Sequence, residues 1–440
     1  MSSSMPPRRR LFRILNMTFP IPSDIQSAFG NMMDGFFYVL GIILILFASA
    51  IISGLTYSFF FVMLPMIQRA NVKSPYYVFL HIIFVLYVLV NVLTNYYWCI
   101  MTKHKGQLYD TVVRELAETT GFVYPESPSQ VNQYKKDFEE KLMFRLQRQY
   151  ARRMEASAPQ MNDTNGAGVG ITQRKSAGVD ATANSANLPS SPSVPEVENS
   201  PILPVRRWLI MGPHEWGFCD ASNEPKPPRA HYDQVTRQLV LNMDHYCPWM
   251  FNTVGYFNYR YFCNFLVFTL MGMAYGALIT WNPFFALQGS QFREQIRLSK
   301  EQHSTTALHL FDYVPTPNER QAIAFSFILC LSVGIAVMML GGMHMYLLLT
   351  GQTTIELHGN CANRRRARRL RKKFHNPYDL GMKRNFQQVY GTGNPLWAVL
   401  IPSRRQPEFL PLPLPGVTGL RPPFRSNADA SNPRIGPNLV

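Results

Sequence analysis

The sequence predicts an α-helical integral membrane protein with four transmembrane helices and a compact cytosolic module between the second and the third. Two observations predict it: four long runs carry no Asp, Glu, Lys or Arg, and the basic residues gather at alternate ends of those runs. The runs are 35–68, 74–102, 261–292 and 321–355, each longer than the roughly 20 apolar residues that cross a bilayer. Across 440 residues the chain is 47% hydrophobic and 16% charged, with a net charge of +16. Such a balance suits nucleic acid or an anionic membrane surface, and its position beside apolar spans selects the membrane.

Basic residues near span ends orient a membrane protein. Arg8, Arg9, Arg10 and Arg13 precede the first run, Lys103, Lys105 and Arg260 bound the segment between the second and third, and "NRRRARRLRKK" (363–373) follows the fourth. After the first run come only Arg69 and Lys73, and after the third Arg293, Arg297 and Lys300 are mixed with Glu294, Glu301 and Asp312. Both termini and the loop 103–258 are therefore expected in the cytosol. The N-terminal basic stretch is broken at "FPIPSD", so no cleavable signal is expected. The spans hold almost no ionisable residues, which disfavours a transporter or channel.

Seven segments follow in order. They are a basic N-terminus (1–34), spans one and two (35–102), a helical cytosolic segment (103–154), a disordered insert (155–205), the compact module (206–260), spans three and four with a lumenal loop (261–355), and a basic cytosolic tail (356–440). The helical segment contains "LYDTVVRELAETTG", with an apolar face, and "QVNQYKKDFEEKLMFRLQRQYARRM", with no helix breaker. The insert is rich in Ala, Ser, Asn, Gly and Pro and too polar to bury a core. The tail beyond residue 405 is proline-rich and expected to be loose or extended. Cys99, Cys219, Cys247, Cys263, Cys330 and Cys361 avoid both lumenal loops, so no disulfide framework is expected.

The chemistry concentrates in "MDHYCPWMFNTVG" (243–255). A thiol with a pKa of about 8.5 becomes a nucleophile when an imidazole takes its proton, and a carboxylate can orient that imidazole. Asp244, His245 and Cys247 supply all three groups, and Pro248 keeps Cys247 out of helical backbone. Two other readings stand beside this one: a buried cysteine acting as a small hydrophobe, and a zinc ligand. Zinc wants four Cys or His ligands in paired spacings, and between Cys219 and Cys247 there are only His231 and His245.

Residues 226–262, "KPPRAHYDQVTRQLVLNMDHYCPWMFNTVGYFNYRYF", resemble the signature of the Asp-His-His-Cys (DHHC) protein S-acyltransferases, or palmitoyltransferases. "TTIE" (353–356) is similar to that family's Thr-Thr-x-Glu motif, and "NPYDLGMKRNFQQVYG" (376–391) to its C-terminal motif. The resemblance covers roughly 35–105 and 206–391 and includes the four-span topology with a cysteine-rich-domain-like module between spans two and three. It implies that Cys247 is the nucleophile and carries the acyl intermediate, that His245 is the general base, and that Asp244 orients His245. It implies a long-chain acyl-CoA, typically palmitoyl-CoA, as co-substrate, with Trp249 beside the reactive carbonyl and Arg229, Arg237 or Arg260 near the CoA phosphates. Thr353, Thr354 and Glu356 would brace the active-site loop, while Asn385 and Tyr390 would tie the tail to the core.

The sequence also departs from the family. Of the six cysteines and two histidines that bind two zinc ions there, Cys219 remains. Ser222, Asp233, Thr236, Leu239 and Thr253 stand where the other cysteines fall, and Tyr232 and Tyr246 where the histidines fall. No bound metal is expected, zinc included. The function expected is transfer of a long-chain acyl group from acyl-CoA to protein cysteines; the rival reading is a silent relative acting as a membrane adaptor or chaperone. Expected partners are membrane lipids and cytosolic or membrane-associated proteins with cysteines near the bilayer, not nucleic acid. The expected location is the Golgi, endoplasmic reticulum, another endomembrane or the plasma membrane. His81 and His344, inside spans, are expected to make structural interhelix hydrogen bonds, the alternative being a catalytic or substrate role, and Cys361 to stay an unmodified thiol.

Overall fold

In a computed structural model, residues 23–70, 75–157, 211–289, 315–413 and 419–424 are described. The N-terminal arginines, most of the insert and the greater part of the loop between spans three and four, on which several expectations fall, lie outside them.

Four helical stretches are long and apolar enough to cross a membrane: Tyr38–Arg69, Pro75–Met101, Tyr259–Gln288 and Pro317–Leu349. The first joins α1 (Ser23–Ser58) to α2 (Leu64–Ala70) through a π-helical turn, Phe59–Met63; the others are α3 (Pro75–Met101), α6 (Tyr259–Gln288) and α7 (Pro317–Leu349). Outward-facing side chains such as Leu46, Leu80, Leu278 and Met339 are large, apolar and exposed, as lipid-facing positions require. This is a multi-pass membrane protein. Two polar pairs join helices inside the bundle: Ser58 and Ser326 share a buried 2.7 Å hydrogen bond, and His81 meets Tyr275.

The chain divides into two units, Asn132–Gly212 and the remainder. In the first, the described residues are those of α5 (Pro128–Ser157) from Asn132 on, with residues 211–212. In the remainder, α4 (Gln107–Thr120) stops at Gly121, whose left-handed φ of 66° lets its N–H reach back to Ala117 and Glu118. Val112, Val113 and Leu116 form the buried face of α4.

The module following residue 213 is three antiparallel hairpins, each of two three-residue strands: β1–β2 (Gly217–Cys219 with Glu224–Lys226), β3–β4 (His231–Asp233 with Gln238–Val240) and β5–β6 (His245–Cys247 with Asn252–Val254). Their first strands start at 217, 231 and 245, a repeat of 14 residues. Each four-residue turn ends on a left-handed residue, Asn223, Arg237 or Phe251. Cys219, Asp233 and Cys247 thus occupy equivalent places in successive hairpins.

Beyond α7 come α8 (Thr354–Arg369), α9 (Met382–Tyr390) and α10 (Pro395–Leu400). The segment after 405 differs from the loose tail expected. Leu410 and Leu412 are 2% and 1% exposed and pack with Val112, Leu116, Trp216, Cys219 and Leu239. Proline favours extended backbone, so alternate leucines can point to one side.

Candidate active site

The third hairpin is set against the second span by its own residues. Asn252, paired with Cys247 across the hairpin, donates to the carbonyls of Cys99, Ile100 and Thr102 at 2.9–3.1 Å, groups that a helix end leaves without partners. Cys247 packs beside Tyr96, Cys99, Met250 and Phe262 and is 7% exposed.

Asp244 is 1% exposed and held on every side. Its Oδ2 lies 2.6 Å from His245 Nδ1, its Oδ1 accepts from the Thr354 N–H at 2.8 Å, and its carbonyl accepts from the Thr354 hydroxyl at 2.5 Å. With Nδ1 engaged by Asp244, Nε2 is the ring nitrogen left for a proton from Cys247, two residues on. Burial disfavours the His245 cation, but its hydrogen bond to Asp244 and the nearby Cys247 outweigh it and raise its pKa to about 9. A carboxylate, an imidazole and a thiol in sequence contact can take a proton from the sulfur and hold it.

The residues of "TTIE" start α8. Thr353 is its N-cap, accepting from the Glu356 N–H, while the Glu356 carboxylate accepts from the Thr353 N–H. Glu356 is also the partner of Arg229, at 2.7 Å from both Nε and Nη2. Arg229 donates further to the Gly351 and Pro411 carbonyls. Its side chain is 3% exposed, so the expectation that it meets a substrate's phosphates gives way to a buried cross-link. Arg260 is likewise turned inward, onto the Ala398 carbonyl and the Ser403 hydroxyl. Of the three arginines expected to meet substrate, Arg237 alone is exposed, at the β3–β4 turn.

Asn385 donates to the Leu349 carbonyl at the end of α7 and accepts from the Leu380 N–H. Tyr390 donates to Asn264 on α6. Gly351 has a φ of +62°, and a Cβ there would fall 2.9 Å from Asn385 Oδ1.

Cys247, Trp249 and Met250 line an apolar cavity of about 470 Å³ whose other walls come from the four spans. Its wall follows the first span from Phe47 to Met63, about 24 Å at 1.5 Å per residue. Trp249 is 46% exposed, and its carbonyl accepts from Tyr96.

Sequence reasoning left one group out of the site. His344, in the last turns of α7, is 1% exposed, and its Nδ1 is 4.0 Å from Asp244 Oδ2. Only its position near the end of a span hinted at this.

The positions where the resemblance implies zinc ligands do not fit the ion. Cys219, Leu239 and Tyr232 lie in an apolar cluster with Trp216 and Leu410, which offers one sulfur. Asp233 Oδ2 accepts from the hydroxyls of Thr236 at 2.7 Å and Thr253 at 2.5 Å and from the Thr236 N–H, while its Oδ1 accepts from the Val235 N–H. Its lone pairs are taken up, and the Thr253 carbonyl bonds to buried His104. One hairpin position is thus packed with hydrocarbon and the other with a hydrogen-bonded node. Neither offers the four Cys or His donors of a structural zinc site.

The DHHC palmitoyltransferase family profile matches residues 213–360. The chain is 32% identical over 204 residues to probable protein S-acyltransferase 14 of Arabidopsis thaliana, covering 45% of this chain and 56% of that protein. It is 33% identical over 201 residues to palmitoyltransferase ZDHHC16 of Homo sapiens (43% and 53%), and 26% identical over 218 residues to palmitoyltransferase ZDHHC15 of Xenopus laevis (50% and 53%). The chain spans about half the length of the curated relatives it matches.

Proposed function

We infer that this chain, a member of the DHHC family, is a protein S-acyltransferase that moves a long-chain acyl group from acyl-CoA to protein cysteines through an acyl-Cys247 intermediate. The observation that carries this is Cys247 lining an apolar cavity, two residues from a His245 held by Asp244.

The chain's own residues account for each step. His245 Nε2 takes the Cys247 proton, and the thiolate attacks the thioester carbonyl of acyl-CoA. The bond from the carbonyl carbon to the CoA sulfur breaks, and CoA leaves as a thiol with the proton from His245. A substrate cysteine then gives its proton to His245 and attacks acyl-Cys247, returning Cys247 as a thiol. Each step exchanges one thioester for another, so alignment and thiolate supply govern the rate. The acyl chain occupies the cavity between the spans, and Trp249 flanks the carbonyl.

The module folds without zinc, with the apolar cluster and the Asp233 node standing where metal would tie the hairpins. Both termini and the module face the cytosol, placing Cys247 where the cavity meets the aqueous phase. Substrate proteins present cysteines close to the bilayer.

The test is acyl transfer onto purified protein in detergent, using labelled palmitoyl-CoA with and without a strong chelator. The expected result is a hydroxylamine-labile label that vanishes in Cys247→Ser, weakens in His245→Ala and ignores the chelator. Well-folded protein with no Cys247-dependent label would overturn the enzyme reading in favour of a membrane adaptor.

A further inference from the structure

Three groups surround the Asp244 carboxylate, and two of them, the Thr354 N–H and His245, hydrogen-bond to it. The third is His344. Its Nδ1 lies 4.0 Å from Asp244 Oδ2, the oxygen that meets His245 at 2.6 Å, and the Tyr259 hydroxyl is 3.3 Å from the same nitrogen. The two imidazole rings are 5.5 Å apart. Phe262 packs at a steep angle to both, 5.3 Å from His245 and 4.8 Å from His344. His344 stands one helical turn beyond Leu340, which lines the cavity.

Packing alone does not call for histidine here. A leucine would fill a site between Phe262 and Tyr259 without burying an imidazole, which costs free energy unless its polar atoms are used. Asp244 Oδ1 is fixed by the Thr354 N–H, but Oδ2 depends on His245. That partner changes charge each time it takes or gives a proton. The last torsion of an aspartate is broad, so the carboxylate needs a second restraint on its Oδ2 side. A metal ion is a poorer reading of these three residues, whose donor atoms lie within 4.8 Å of one another, because the direct Asp244–His245 hydrogen bond occupies the space between two of them.

We propose that His344 is a positioning residue: from the fourth span it restrains the Oδ2 side of Asp244, and so keeps His245 aimed at Cys247 while the proton moves. The proposal rests on the roles given above to Asp244, His245 and Cys247.

Its test uses isosteric variants and a readout that does not need turnover. Asn places a polar atom where Nδ1 was, and Leu fills the same volume without one. Full-length protein in detergent is treated with iodoacetamide at neutral pH, and alkylation of Cys247 is followed by mass spectrometry, beside labelling by palmitoyl-CoA. In His344→Leu, Cys247 alkylation and acyl-enzyme formation at saturating palmitoyl-CoA both slow roughly tenfold, within the range for residues coupled through one polar network. KM stays within about twofold, while His344→Asn recovers most of the rate. Alkylation of His344→Leu at the wild-type rate, or equal loss in Asn and Leu, overturns the proposal. If wild-type protein takes no label but the alkylation order holds, transferase activity fails and the positioning role stands.

Discussion

Thr354 grips Asp244 at both ends of the residue, with its N–H on Oδ1 at 2.8 Å and its hydroxyl on the main-chain carbonyl at 2.5 Å. The first residue of a helix that follows span four thereby fixes an acid in a hairpin that precedes span three. Because the N–H bond comes from the backbone, a side-chain substitution isolates the hydroxyl. Thr354→Val removes about 1 kcal/mol of hydrogen bonding and should slow acyl-enzyme formation roughly fivefold, whereas Thr354→Ser should keep most of the rate. Single-turnover labelling with palmitoyl-CoA measures both. Equal rates in Val and Ser would mean that the hydroxyl does not hold the acid.

The elevated pKa of His245, about 9, sets a direction for the pH dependence. Its ordinary value is about 6.5, so its contribution to stability is full below about 6.5 and is lost as pH rises through about 9. Acyl-enzyme formation should hold level to about pH 8 and decline near 9, as the imidazolium that protonates departing CoA disappears. Asp244→Asn removes the largest of the interactions that favour the cation, and the decline should move toward about 6.5. A wild-type profile unchanged by that substitution would exclude Asp244 from the proton path.

Asp233 makes a different prediction, about metal. Its carboxylate ties the β3–β4 turn to Thr253 of β6, joining two hairpins where the resemblance implies a zinc ion would. Asp233→Asn should lower stability by about 1–3 kcal/mol through the loss of a charged acceptor, while a chelator should leave the melting temperature of wild type unchanged. Elemental analysis of purified protein checks the same point. Stoichiometric zinc would refute it.

Much of this was legible in the sequence because it is local. Uncharged runs of bilayer length give the spans, and the Asp244–His245–Cys247 stretch places its reactive groups within four residues. The capping box at Thr353 and Glu356 is also written in sequence spacing. What was not legible depends on contacts between distant segments. Nothing near Arg229 announces Glu356, 127 positions away, and a lone arginine in a basic module reads as an anion site until its buried partner is seen. His344 looked like an interhelix polar residue because its proximity to Asp244 exists only once α7 and the third hairpin meet. The proline-rich tail misled for a related reason: composition describes a segment's own backbone and not the hydrophobic cluster waiting for its leucines.

That tail supplies the last prediction. Arg421 is 1% exposed, with Nε at 2.6 Å and Nη2 at 3.3 Å from the two oxygens of Glu115 on α4, and its Nη1 donates to the Pro407 carbonyl. The pair joins residues 306 positions apart, and Leu410 and Leu412 enter the same cluster as Cys219 and Leu239. Arg421→Met would leave Glu115 charged and buried without a partner, costing about 3–5 kcal/mol. Adding Glu115→Leu should restore most of that loss, since replacing both members of a buried pair with hydrocarbon is often close to neutral. Thermal unfolding of the two variants in detergent distinguishes the causes. Recovery in the double variant identifies the orphaned carboxylate as the source of the loss and leaves the leucines as what holds the strap down. A double variant as unstable as the single one would show that the guanidinium's bond to Pro407 is what keeps the strap in place.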